Sequence, residues 1–99
     1  MGEGVGQVTS GRTERRAQRR TKVAVLFADR TDRALDLLEL VEMAWHDNYN
    51  EITPPEDLID DILLLSEGNL RLLIRWGRIV IADPSDVRDA ANGARADGT

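Results

Sequence analysis

Catalysis needs converging polar groups of matched acidity, and the reactive side chains in this chain are few. There is no cysteine, hence no thiolate nucleophile or thiolate metal ligand, and a single histidine, His46. No glycine-rich loop of the phosphate-binding kind occurs. His46 follows Glu42 by four residues, which puts both on one flank of a helix, as half a metal site or as an exposed pair. With no second histidine to complete the set, no metal is expected. The stretch from Asp47 to Leu58 superficially suggests a calcium loop but fails its chemistry. Tyr49 stands at the third position, Ile52 where the sharp turn needs glycine, and Leu58 where a bidentate glutamate belongs.

The most enzyme-like constellation is Glu39-x-x-Glu42 followed by Asp57-x-x-Asp60. Two facing helices that each present two carboxylates can hold a magnesium ion, and the pattern loosely resembles that of the all-helical nucleotide pyrophosphohydrolases. The resemblance implies a magnesium-dependent nucleotide pyrophosphohydrolase-like activity resting on these four acids. Two observations weigh against it. Among eighteen acids in ninety-nine residues such spacings recur by chance, and Glu39 falls almost opposite the apolar centre of its helix, where it faces water. The expectation is a chain that is not an enzyme, with no catalytic residue, cofactor or metal, and no family is recognised in it.

Charge gives the stronger lead. Through Lys22 the chain carries six bases against two acids; from Val23 onward it carries seven bases against sixteen acids. A basic arm joined to an acidic body is a common form of interaction tail. Arg12, Arg15, Arg16, Arg19 and Arg20 follow the i, i+3, i+4, i+7, i+8 rule, so a helical arm carries all five on one face, in phase with Val23 and Phe27. The planar guanidinium fork suits phosphates and carboxylates. Nucleic acid is one anionic partner, disfavoured by the acidic body and by the lack of interleaved aromatic residues. An acidic protein surface is the other, including the Glu56 to Asp61 face of a second copy. A second contact surface is suggested by Leu40 and Met43, which with Val25 lie outside the main apolar stripe of their helix and are three residues apart.

The elements that position these residues read as helical. Val23, Phe27, Ala34, Leu37, Leu38, Val41 and Trp45 recur at spacings of three, four and seven, which predicts one long amphipathic helix from near Thr13 to His46. A strand over Lys22 to Phe27 is the competing reading. Asp47 to Asn50 supplies turn residues. Thr53-Pro54-Pro55-Glu56 reads as a capping box opening a second helix from Pro54 to about Ser66. That helix would bury Leu58, Ile59, Ile62, Leu63 and Leu65 while Glu56, Asp57, Asp60 and Asp61 face water. Gly68 ends it, and Asn69 to Ala82 forms a central helix on which Arg71, Arg75 and Arg78 share an arc of about 60°. Gly77 implies close helix packing there; a hairpin turning at Trp76-Gly77 is the alternative. Asp83-Pro84 caps a short helix to about Ala91.

The fold class is therefore all-α: a small bundle of three main helices plus a short C-terminal helix, with a flexible basic N-terminal arm. Residues 1–11 and 92–99 are expected to be disordered, and 12–91 to form the helical domain, with 12–22 as the arm. The packable region is small, so self-association is expected to help stabilise it. Without cysteine, a signal segment or a run of apolar residues long enough for a membrane, the chain is expected to be soluble and cytoplasmic. The function expected is that of a small helical adaptor or regulator acting through protein contact. A nucleic-acid-binding regulator that uses the arginine arm is the first alternative and the hydrolase the second. The expected partner-binding residues are Arg12, Arg15, Arg16, Arg19, Arg20, Leu40 and Met43.

Overall fold

The computed structural model describes residues 3–51 and 53–97, with side chains for 14–51 and 53–96, and the fold is all-α. Five helices follow in order: α1 (Glu3–Phe27), α2 (Thr31–Tyr49), α3 (Glu56–Ser66), α4 (Leu70–Ala82) and α5 (Pro84–Asp97), with a 3-10 turn over Ala28–Arg30 between the first two. Among the described residues there is no strand, so neither the strand over Lys22 to Phe27 nor the hairpin at Trp76-Gly77 forms. Among the same residues no helix is long and apolar enough to cross a membrane.

The single helix expected from Thr13 to His46 is instead two, and the chain reverses between them. Ala28 takes a left-handed backbone (φ 50°), and Thr31 Oγ1 donates to the Ala28 carbonyl inside the turn. α1 then lies antiparallel on α2, with Arg20 beside Asp32 and Arg16 beside Asp36 and Glu39. The reason is in the stretch Ala28 to Arg33, which has no large apolar side chain and four charges. A straight helix there would bury nothing and would carry Val23 and Phe27 away from the body. Folding back buries both, at an order of 2 kcal/mol per side chain, against roughly 1 kcal/mol for one non-glycine residue in the left-handed region. Of the segment 1–11, only the helical backbone from Glu3 lies among the described residues.

Helix α3 starts at Glu56, not at Pro54, and the expected capping box does not form. Pro55 is the N-cap, with φ −53° and ψ 140°, and no side chain caps the helix. A residue that precedes proline is pushed out of the α region. Thr53 precedes Pro54 and Pro54 precedes Pro55, so neither can enter the helix. The first orphan amides use the Pro55 carbonyl, which accepts from Leu58 at 3.0 Å.

The stop at Gly68 and the start at Asp83 act as read. Glu67 and Gly68 both take positive φ and close α3. Asn69 caps α4 through its side-chain oxygen, which accepts from the amides of Arg71 and Leu72. Asp83 does the same for Ser85 and Asp86 at the start of α5. α5 runs to Asp97, past the expected end at Ala91, so part of the segment read as a tail is ordered helix.

α4 packs against α2, α3 and α5. The core between them is Phe27, Leu35, Leu38, Trp45, Leu58, Ile59, Ile62, Leu63, Leu73, Val80 and Val87, with Val23, Ala34 and Ala91 filling smaller gaps. Gly77 lies where α4 crosses α2: a Cβ there would stand 2.7 Å from Val41 Cγ2, which is the close approach expected at that position. At the lower end of α2 the Trp45 and Tyr49 rings lie 4.2 Å apart. Tyr49 donates its hydroxyl to the Ile81 carbonyl at 2.7 Å, tying α2 to the end of α4.

Candidate functional site

The arginines of the N-terminal stripe are positioned by the reversal at Ala28, and they face the protein's own acids. Arg16 reaches Glu39 at 2.6 Å and Asp36 at 3.1 Å. Arg19, only 4% exposed, lies 3.2 Å from Glu42 and 3.1 Å from Glu56. Arg15 Nε is 3.4 Å from Glu42, and Arg20 is 2.7 Å from Asp32. Lys22 continues the series to Asp60 at 2.8 Å. The side chain of Arg12 lies outside the described residues. Burial pulls the Arg19 guanidinium toward lower pKa, but the Glu56 hydrogen bond and the fields of Glu42 and Glu56 outweigh it and raise its pKa. Arg16 is raised chiefly by its hydrogen bond to Glu39. The stripe thus seams α1 to α2 and α3.

The same contacts occupy the four acids of the magnesium pattern. Glu39 pairs with Arg16, Glu42 with Arg15 and Arg19, Asp57 with Arg88, and Asp60 with Lys22. Glu39 therefore reaches across to α1 while staying about a third exposed, because the folded-back helix covers part of that flank. Among the described residues no group of three or more acids and histidines is close enough to hold a metal ion. His46 Nδ1 lies 2.9 Å from the Glu51 carbonyl. Asp61, expected in water, is buried and accepts from Arg95 of the extended α5 at 2.6 Å.

What remains open is an apolar groove between α2 and α4. The two helices run in the same direction, with Val41 over Gly77 and the end of α2 bonded to the Ile81 carbonyl. Leu37, Leu40, Val41 and Ala44 line one wall, and Leu73, Ile74, Gly77 and Ile81 the other, around about 500 Å³. Ala44 and Gly77, which carry little or no side chain, are both part of this lining. Leu40 is 58% exposed and Ile74 39%, so both lips meet water. Met43 is equally exposed, about 60° round α2 from Leu40 on the side away from α4. The structure thus brings Leu40 to the groove, sets Met43 beside its outer lip, and holds the N-terminal arginines on the opposite flank of α2.

The residues that sequence reasoning did not assign are those on the α4 side. Arg78 lines the groove, and Arg71 and Arg75 share its arc on the flank of α4 beyond Ile74; all three are exposed. Among the described residues no carboxylate pairs with any of them. Their shared arc was readable from spacing, as was the excess of apolar residues on α4, which is too broad an arc for one buried face. Compared with protein-family models, with curated proteins and with solved structures, the chain matches none.

Proposed function

We propose that this protein is a small non-enzymatic helical adaptor or regulator, working in the cytoplasm through protein contact at the groove between α2 and α4. The observation that carries the reading is the open apolar groove itself, with Leu40 and Ile74 in water at its lips. Single exposed aliphatic residues are ordinary. A continuous concave lining built from two helices is what helix-mediated recognition uses. Leu40 and Met43, selected from spacing as a contact pair, fit this role. The N-terminal arginines do not, since those with described side chains already have acidic partners within the chain.

The same ion pairs lower the rank of the two alternatives. A nucleic-acid regulator would have to take Arg15, Arg16, Arg19 and Arg20 from Glu39, Glu42 and their neighbours, and a hydrolase would have to free four paired carboxylates from their bases. The test is site-specific photocrosslinking in cells, with the photoreactive residue placed at Ile74 in one variant and at the distant, exposed Val25 in another. The expected result is a discrete protein adduct from position 74 that is absent from position 25 and lost with Leu40→Asp. Self-association through this face would instead give a chain-to-chain adduct at position 74 and a concentration-dependent dimer in sedimentation. No adduct at position 74, together with a monomer at high concentration, would rule the reading out.

A further inference from the structure

We infer that the groove's occupant is an acidic amphipathic helix of a partner protein, held by its apolar stripe on the groove and by carboxylates on Arg71, Arg75 and Arg78. The inference rests on the protein-contact reading and specifies the chemistry of the partner.

The lining sets the first half. Leu37, Leu40, Val41, Leu73, Ile74 and Ile81 offer apolar surface to bury, with Arg78 as the charged residue of the lining, so the side chains inserted between the walls must be apolar. Leu37 to Ala44 on α2 and Leu73 to Ile81 on α4 are each about two helical turns, roughly 10–12 Å at 1.5 Å per residue. An occupant of two to three turns with anchors at i, i+3 or i+4, and i+7 fills that length.

The arginine row sets the second half. Arg71, Arg75 and Arg78 cover about the same 10 Å along α4, on the flank next to Ile74. They stand in a chain whose net charge is −5 and in which Arg15, Arg16, Arg19, Arg20, Lys22, Arg88 and Arg95 each have an acid partner. A positive row beside a hydrophobic groove, on an otherwise acidic molecule, complements a helix with acids along one flank at the same spacing. The body's charge opposes long-range attraction of such a ligand, so the row acts at contact range, setting register and orientation.

A second copy of the chain does not supply that ligand. Asp32, Asp36, Glu39 and Glu42 of α2 and the four acids of α3 are paired with bases of α1 and α5, which leaves α2 the single exposed Asp47 near its end. Asp86 and Asp89 on α5 lie among serine, alanine and arginine, without a stripe of large apolar side chains. Nucleic acid is disfavoured because the groove has no aromatic ring for stacking and would bury nothing against phosphate.

The experiment uses the full chain and a fluorescein-labelled helical peptide of about 14 residues with leucines at i, i+3 and i+7 and glutamates on the adjoining flank. A peptide with glutamine in place of each glutamate, one with serine in place of each leucine, and a short DNA duplex are the other probes. The Arg71→Gln/Arg75→Gln/Arg78→Gln variant changes only exposed side chains, and circular dichroism confirms that it folds. The glutamate peptide is expected to bind. The glutamine peptide, or the triple variant, should each weaken binding about tenfold, since three exposed ion pairs are being removed. Combining the two should weaken it no further, and the leucine-free peptide should not bind.

Equal binding of the glutamate and glutamine peptides, lost with Ile74→Asp, would overturn the acidic partner while leaving the groove as a helix site. DNA binding lost in the triple variant would overturn it in favour of nucleic acid. Absence of binding by any peptide would also overturn it, and the crosslink at position 74 would then decide separately whether the groove contacts protein at all.

Discussion

Arg19 of α1 and Glu42 of α2 stand 3.2 Å apart across the antiparallel seam, with side chains 4% and 12% exposed. Two charges this well covered depend on each other, since removal of Arg19 leaves the nearly buried Glu42 with only the longer Arg15 contact at 3.4 Å. Arg19→Met is therefore expected to cost about 3 kcal/mol in urea unfolding, and Arg19→Met/Glu42→Leu to recover most of it, because an apolar pair of similar volume fills the same space. Arg16→Ala, which removes contacts to partners in water, should cost under about 1 kcal/mol. Equal costs for Arg16 and Arg19 would mean that the seam is not organised around the buried pair.

That seam also shows how far the sequence could be read. The phase of the arginine stripe with Val23 and Phe27 was legible, because periodicity reports which residues share a face. It does not report what the face meets, and here the face meets α2 and α3. The break at Ala28 was marked only by a gap in the apolar pattern, since the positive φ of Ala28 is imposed by packing. The caps at Asn69 and Asp83 were legible because capping is local. The box at Thr53 failed because two consecutive prolines override it, and Asp61 was misplaced because the length of α5 was not visible in its alanines. Both walls of the groove were legible as excess apolar arcs on α2 and α4. Their union into one hollow depends on the parallel approach at Val41 and Gly77, which no single helix encodes.

Three glycines are expected to respond to alanine with different signs. At Gly68 the backbone has φ 73°, and a Cβ would lie 2.4 Å from the Leu26 carbonyl oxygen. Left-handed strain and a clash with backbone act together there, so Gly68→Ala should cost at least about 2 kcal/mol. At Gly77 a helix-propensity gain of about 1 kcal/mol opposes overpacking against Val41, for a net loss of roughly 1 kcal/mol. Gly93 has nothing within 4 Å of its Cβ position, so Gly93→Ala should stabilise by up to about 1 kcal/mol. Thermal unfolding of the three variants side by side checks all three signs.

Two exposed pairs give opposite pH dependence. The hydrogen bond from Arg88, against a smaller desolvation effect, holds the Asp57 carboxyl below its usual 3.8. A group with a depressed folded pKa adds stability above its unfolded value and loses it as pH falls through the folded one. Asp57→Asn should therefore lower the urea midpoint slightly near neutral pH and leave it unchanged once the pH has fallen below the folded pKa. Lys22 is the mirror case, raised above 10.5 by its hydrogen bond to Asp60 against partial burial. Its contribution is complete below 10.5 and is lost as pH rises through the folded value, so Lys22→Gln should matter at neutral pH and cease to matter in strong alkali.

One contact of α5 beyond Ala91 can be removed cleanly. Asp61 has a side chain only 6% exposed, and it accepts from Arg95, whose own side chain is half in water. Deleting residues 92–99 takes away the donor and leaves a nearly buried carboxylate facing the space where Arg95 stood. The expected cost is about 2 kcal/mol, the penalty of a buried acceptor stripped of its charged partner. Arg95→Ala alone should reproduce most of that loss, because the other side chains described in the segment, 92–94 and 96, are exposed. Asp61→Asn in the truncated chain should return part of the loss, since a neutral amide is cheaper to leave without the guanidinium. If the truncated chain were as stable as the whole one, the helix beyond Ala91 would contribute nothing to the body, and Asp61 would be satisfied by water.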